Sequence, residues 1–419
     1  MNLRGILAPA LWMIAATAAA QSTLAPQVPR FVVDPMWPMP FPNRWILGSS
    51  TGIAVDARDH IYLVHLTDSF NPRTEIGLAT NPVTGECCAP APNVLELDPS
   101  GKLLAHWGGP GAGYDWPEMN AGIAVDDSGN VWIGGTGGAD SKILKFTGDG
   151  KFIAQFGKSA SPPASPAGRG ADTGYQGVSP GRAAPGRGGR RPATPALPPN
   201  STSLETFGGP ASFTFDTKAH EAYVADGFRN HRVAVIDMST GAIKRFWGAY
   251  GKPPVDADSA GYDPRAAPSR QFSTVRCARL SSDGFVYVCD ARNDRIQVFR
   301  KNGAFVKEGR IAPQTLGAGS VWDVAFSRDP RQRYLYVADG MNMKIHVLDR
   351  ATLRELTSFG AGGRQPGEFY AVHSVATDSR GNLYTVETYE GKRVQKFIYQ
   401  GLGAPQKRAV LWPSAGGAR

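Results

Sequence analysis

The chain has 419 residues, 42% of them hydrophobic and 19% charged, which is a globular composition with length for two or three ordinary domains. Its formal charge of +9 does not mark a nucleic-acid or anionic-membrane partner. Much of the excess lies in one Pro/Gly-rich segment, where Lys158, Arg169, Arg182, Arg187, Arg190 and Arg191 face only Asp172.

In chain order, Arg4, the apolar run Ile6 to Ala16 and Ala18-Ala19-Ala20 before Gln21 read as a secretory signal over 1–20. The run is too short to span a bilayer, no Cys follows it to carry a lipid, and no other run is apolar enough to span. The expectation is a secreted protein, extracellular or periplasmic, with no membrane span. Residues 21–43 form an N-terminal segment ahead of a unit of about 40 residues that recurs six times. The unit is an alternating apolar strand ending in Asp, a Gly/Asn turn, a second strand, Arg-Ile/Val and a third strand, then a strand closing on aromatic-Gly. Blade two reads Gly122-Ile123-Ala124-Val125-Asp126, then Val131-Trp132-Ile133, Lys142-Ile143-Leu144-Lys145-Phe146 and Phe156-Gly157.

Four short strands per repeat predict an all-β, six-bladed β-propeller, because one such sheet cannot bury both of its faces alone. Blade one starts at Gly52, blade three near Ser212, blade four at Cys277, blade five at Asp323 and blade six at Val375. Blade six lacks a closing strand of its own. Arg44-Trp45-Ile46-Leu47-Gly48 has that strand's character, so an N-terminal strand is expected to complete the ring and hide its open edges. The propeller then covers 44–401 and leaves 402–419 as a tail.

The long insertions, 67–93, 158–206 and 249–270, all fall on the face where first strands begin and second strands end. The stretch Ser159 to Asn200 is too rich in Pro, Gly, Ala and Arg to fold alone and is expected to be largely disordered. The third, with Tyr250, Tyr262 and Phe272, and the first, with the Cys pair, carry residues that can order a loop. Four Cys in an exported chain suggest disulfides. Cys277 and Cys289 lie opposite each other about the turn at Asp283. Cys87 and Cys88 are adjacent, and either bond each other or stay free.

The phrases Asp226-Gly227-Phe228-Arg229-Asn230-His231-Arg232-Val233, Asp290-Ala291-Arg292-Asn293-Asp294-Arg295-Ile296 and Arg393-Val394-Gln395-Lys396-Phe397 resemble NHL repeats. Six such blades in an exported chain look most like the peptidyl-α-hydroxyglycine α-amidating lyase group. That resemblance implies zinc (or, in other propeller rings, calcium) in a central channel. In the lyase group three His at the first-strand entrances of blades two, four and six hold the zinc, with a Tyr and an Arg completing the site. Aligned on the first-strand Asp, the entrance ring here is Thr51, Ala121, Ala211, Arg276, Trp322 and His373. The three ligand positions hold Ala121, Arg276 and His373, the Tyr position holds Phe228, and the Arg position after His65 holds Leu66. One His does not hold zinc, and Arg276 repels a dication.

The reading is therefore a secreted NHL-type propeller that binds a peptide or small anionic molecule at the insertion-bearing mouth. Its candidate ligand-binding residues are Arg276, Trp322, His373, Phe228, Asp226 and Asp290. The alternative is a lyase-like enzyme with a rearranged metal site, for which His65 and His373 are the catalytic candidates and His373 the metal ligand. Trp322 either stacks on a ligand or plugs the channel, and His373 either binds or is an ordinary channel histidine. Asp226, Asp290, Asp339 and Glu387, followed by Arg232, Arg295 and Arg393, read most simply as ion pairs that orient each hairpin. His106, His220 and His346 read as surface residues, and Tyr389 and Lys392 as neighbours of the mouth. No Ser nucleophile elbow, phosphate loop or Cys-His nucleophile is present, and export argues against RNA as a partner.

Overall fold

The computed structural model describes residues 27–158, 196–257 and 261–405. The expected signal, most of the Arg/Pro/Gly-rich insertion and the end of the tail lie outside them. The strands form six four-stranded antiparallel sheets, one per blade, plus a two-stranded pair. Blade one is Ser50–Val55, Ile61–His65, Val94–Leu97 and Leu103–Trp107. Blade four, which matters most below, is Val275–Leu280, Phe285–Asp290, Arg295–Arg300 and Phe305–Arg310. Continuous apolar runs such as Ile61-Tyr62-Leu63-Val64 and Ala222-Tyr223-Val224-Ala225 put buried side chains on both sheet faces, where they pack between neighbouring blades.

An N-terminal strand does close blade six, but it is not 44–48. Val28–Asp34 pairs antiparallel with the long strand Arg393–Gly403, from Val28 opposite Gly403 to Asp34 opposite Lys396. Phe31 is 2% exposed and sits between blades five and six, with ring centroids 5.5 Å from both Tyr336 and Phe359. The 44–48 segment instead enters blade one. Trp45–Ile46 pairs in parallel with Ala89–Pro90, and the Trp45 ring lies 4.7 Å from that of His106. Both segments are apolar and strand-like, and only the packing partner distinguishes them.

Four first strands carry a register shift at their entrance. In blades one, four and six the residue skipped by the ladder is Thr51, Arg276 or His373. A bulge leaves one residue unpaired and re-aims its side chain, here into the channel. In blade two the skipped residue is Gly122, at φ +61°, where a Cβ would lie 2.0 Å from the Ala211 carbonyl oxygen. No helix among the described residues is long and apolar enough to cross a membrane.

Replacing Phe31 with Ala is expected to lower the unfolding free energy by about 3–5 kcal/mol, as for other buried aromatic truncations. Urea denaturation followed by Trp fluorescence measures it. A cost near zero would mean that Val28–Asp34 does not close the ring.

Candidate functional site: the channel mouth

The six residues read as an entrance ring do converge. Thr51, Ala121, Ala211, Arg276, Trp322 and His373 line one cavity on the ring axis, with Phe228, Thr136, Arg279 and Asp323 among their neighbours. The free space is about 20 Å³, enough for one water-sized group. Trp322 is 2% exposed and donates its indole N–H to the Gly319 carbonyl at 2.7 Å, so it narrows the channel as well as lining it.

Two arginines from one strand reach this channel with opposite fates. Arg279 binds both oxygens of Asp323 at 2.8 Å and donates to the Phe213 carbonyl at 3.2 Å. Asp323 also accepts from the Ser374 hydroxyl and, at 3.2 Å, from the Val375 N–H. That network ties blades three to six together and saturates the carboxylate. Arg276 is buried, yet its Nε has no hydrogen-bond partner. Its guanidinium lies 4.1 Å from the Trp322 ring centroid and 5.6 Å from that of Phe228. Burial lowers its pKa to about 10, Tyr389 opposes the shift and Arg292 adds to it. It stays cationic at neutral pH against aromatic faces, and among the described residues no carboxylate pairs with it.

His373 is half-buried, with its ring 5.7 Å from Trp322 and edge-to-face. Burial, and then the charge of Arg276, push its pKa down to about 3 against a backbone hydrogen bond to Thr51. The imidazole is neutral, and its Nδ1 has no partner. Tyr389, at 6.4 Å from Trp322, extends the aromatic wall towards the rim.

This donor set does not fit the zinc that the resemblance implied. One imidazole nitrogen is open, the only carboxylate lining the cavity is committed to Arg279, and a guanidinium stands at a ligand position. The alternative donors are committed too. His65 is fully buried. Its Nδ1 accepts from the Gly48 N–H at 3.1 Å, and its Nε2–H donates to the Pro92 carbonyl at 2.9 Å. Both of its ring nitrogens are therefore committed to the protein. Among the described residues the one His/Asp/Glu grouping at metal-like spacing is Asp56, His60 and Glu96, on the opposite face. The Arg58 guanidinium already stands there, 2.8 Å from Asp56 and 3.5 Å from Glu96.

Asp226 and Asp290 form the ion pairs expected with Arg232 and Arg295, and backbone and amide donors occupy them as well. Asp226 accepts from the Gly208 N–H at 2.5 Å, Asn230 at 2.9 Å and Arg232 at 2.8 Å. Asp290 accepts from the Ser273 N–H at 2.8 Å, Asn293 at 2.7 Å and Arg295 at 2.7 Å. Both are 0% exposed. Their arginines then reach on to linker carbonyls, Arg232 to Ser201 at 2.8 Å and Thr206 at 2.9 Å, and Arg295 to Gln271 at 2.9 Å. Glu387 takes the Tyr370 N–H at 2.8 Å and pairs with Arg393 at 2.6 Å. Asp140 does the same in blade two through the N–H groups of Glu118 and Met119, at 2.8 and 3.1 Å. In blade five His346 stands in for the arginine. It is 3% exposed rather than on the surface, and although burial opposes it, Asp339 and Glu355 raise its pKa to about 9.

Cys277 and Cys289 are register partners with Cα atoms 4.9 Å apart, and their sulfurs are at disulfide distance. The sulfurs of Cys87 and Cys88 are likewise at disulfide distance from each other. The Arg279–Asp323 latch was missed in sequence. Its signal was a charge of opposite sign on the first strand of each of two neighbouring blades, Arg279 in Val275–Leu280 and Asp323 in Asp323–Phe326.

No family model matches the chain. Solved structures of similar architecture include a catalytically inactive virginiamycin B lyase from Staphylococcus aureus with quinupristin, 13% identical, covering 88% of this chain and 89% of that chain at a TM-score of 0.45. A streptogramin B lyase is 12% identical over 88% of this chain and 98% of that chain, at a TM-score of 0.46. At such identities and TM-scores these proteins carry nothing over to the chemistry of this channel. The class of protein defined here is the six-bladed β-propeller.

Burial lowers the His65 pKa to about 4, partly opposed by its backbone hydrogen bonds. The unfolded chain therefore takes up that proton first as pH falls. The stability this group contributes is complete above about pH 6.5 and disappears towards pH 4, at a cost of up to about 3 kcal/mol. Denaturant midpoints are expected to drop across that window, and His65→Gln to flatten the drop. An unchanged slope in the variant would show that His65 is not held neutral.

Proposed function

We propose that this protein is an exported binding module whose insertion-bearing mouth captures the anionic end of a peptide or small acid. The observation that carries the reading is Arg276, a buried cation with an open Nε and no carboxylate partner, set against Trp322 and Phe228. An isolated charge in a low-dielectric site is costly, and an incoming anion that pairs with it offsets that cost. Neutral His373 offers an open acceptor at Nδ1 for an N–H or O–H beside that anion. The small axial space takes the tip of a ligand, while its body rests in the mouth against Trp322 and Tyr389. Asp226 and Asp290 hold the linkers that frame the mouth and do not touch the ligand. Binding is favoured over catalysis because, among the described residues at the mouth, His373 is weakly basic and both nitrogens of His65 are committed.

The test is thermal unfolding in low-chloride buffer, titrated with acetate, N-acetylglycine and short peptides bearing free or amidated C-termini. A site-specific anion at about 100 times its dissociation constant stabilises by about 2.7 kcal/mol. The rise in Tm is expected for carboxylates, to saturate, and to vanish in Arg276→Met. A carboxylate response retained in full by Arg276→Met, or no response in the parent protein, would end this reading.

A further inference from the structure

The first insertion carries a feature that anion capture does not use. We propose that Cys87 and Cys88 form an accessible two-electron redox site, opened by a dithiol reductant, whose state decides whether the insertion stays clamped beside the mouth. The two cysteine pairs have opposite settings. Cys277 and Cys289 are each 0% exposed, between strands of one sheet, and no thiol reaches them without opening blade four. Cys87 is exposed and Cys88 half-buried, on a loop at the rim. Exchange requires a thiolate to approach a disulfide sulfur, so access separates the two pairs.

A thiolate of the reductant attacks Cys87 Sγ, forms a mixed disulfide and releases Cys88 as a thiolate. The reductant's second thiol then displaces Cys87. Two electrons have passed to the protein, the reductant leaves as a disulfide, and the two cysteines take up two protons. Because the thiols belong to neighbouring residues, neither can diffuse from the other, so reoxidation needs only an oxidant and no refolding.

Contacts link this pair to the mouth. A Cβ on Gly77 would lie 3.1 Å from the Cys87 carbonyl oxygen and 2.9 Å from the Gly85 nitrogen, so the two ends of the loop are in backbone contact. Thr84 N–H donates to the Gly77 carbonyl at 3.0 Å, and Arg44 donates to the Glu86 carbonyl. Two residues before Gly77, both oxygens of Glu75 accept from Lys392 at 2.7 Å. The Lys392 ammonium lies 5.2 Å from the Phe70 ring, and its loop also carries Tyr389, which stands beside Trp322. The cystine thus sits at one end of a loop whose other end grips the channel rim.

The experiment treats the folded protein with graded dithiothreitol without denaturant, alkylates with N-ethylmaleimide and maps the labels by peptide mass spectrometry. Limited trypsin digestion at the exposed Arg73 reports on the loop. Cys87 and Cys88 are expected to label at reductant concentrations that leave Cys277 and Cys289 closed, with cleavage after Arg73 accelerated several-fold. The Cys87→Ser, Cys88→Ser double variant is expected to show the fast cleavage without reductant. Labelling of all four cysteines together overturns the site. Labelling of Cys87 and Cys88 with no change at Arg73 overturns the coupling. If the double variant fails to fold, the reductant arm on the parent protein decides alone.

Discussion

A buried acceptor at the end of the second strand in blades one, three, four and six is the contact on which the insertion-bearing face depends. In blades three, four and six it is the carboxylate of Asp226, Asp290 or Glu387, which takes a backbone N–H from the linker entering its own blade. The paired arginine continues outward and donates to carbonyls of the same linker. Irregular backbone over a core has no ladder to satisfy it, so these side chains act in place of one. Removing either partner would strand a buried charge, at about 3–5 kcal/mol. Blade one meets the same need with a neutral imidazole, since His65 can accept at one nitrogen and donate at the other.

That clamp explains what the channel is free to do. With the linkers held by their own acceptors, the residues just inside them are released to face the axis, and local bulges turn Thr51, Arg276 and His373 inward. Arg279 and Asp323 close the axis below, each neutralising the other. Arg276 lies three residues earlier in the same strand and has no such partner. Two identical side chains thus have different roles because only one of them meets a carboxylate.

The ring count, the strand pattern and the converging entrance residues were legible because a repeat places equivalent residues in equivalent positions. The Cys277–Cys289 pairing was legible for the same reason, being a matter of counting outward from one turn. The closing strand was misplaced because 28–34 and 44–48 carry the same apolar strand character. Phe31 shows its role only when Tyr336 and Phe359 are brought beside it. His346 looked like a surface residue until Asp339 and Glu355 closed around it. The pairing of Asp226 with Arg232 and of Asp290 with Arg295 was legible from their spacing, but the backbone donors that also occupy them come from outside their own motif.

The sequence alone determined the number of blades and the identity of the residues that meet at the axis, with Ala121, Arg276 and His373 at the entrances of blades two, four and six. Each of these is periodic or a plain matter of residue identity. Tertiary structure alone decided which buried charges are spent on each other and which stand open. A carboxylate's partners come from blades far apart in the chain, and distance in space, not order in sequence, sets whether a charge is neutralised.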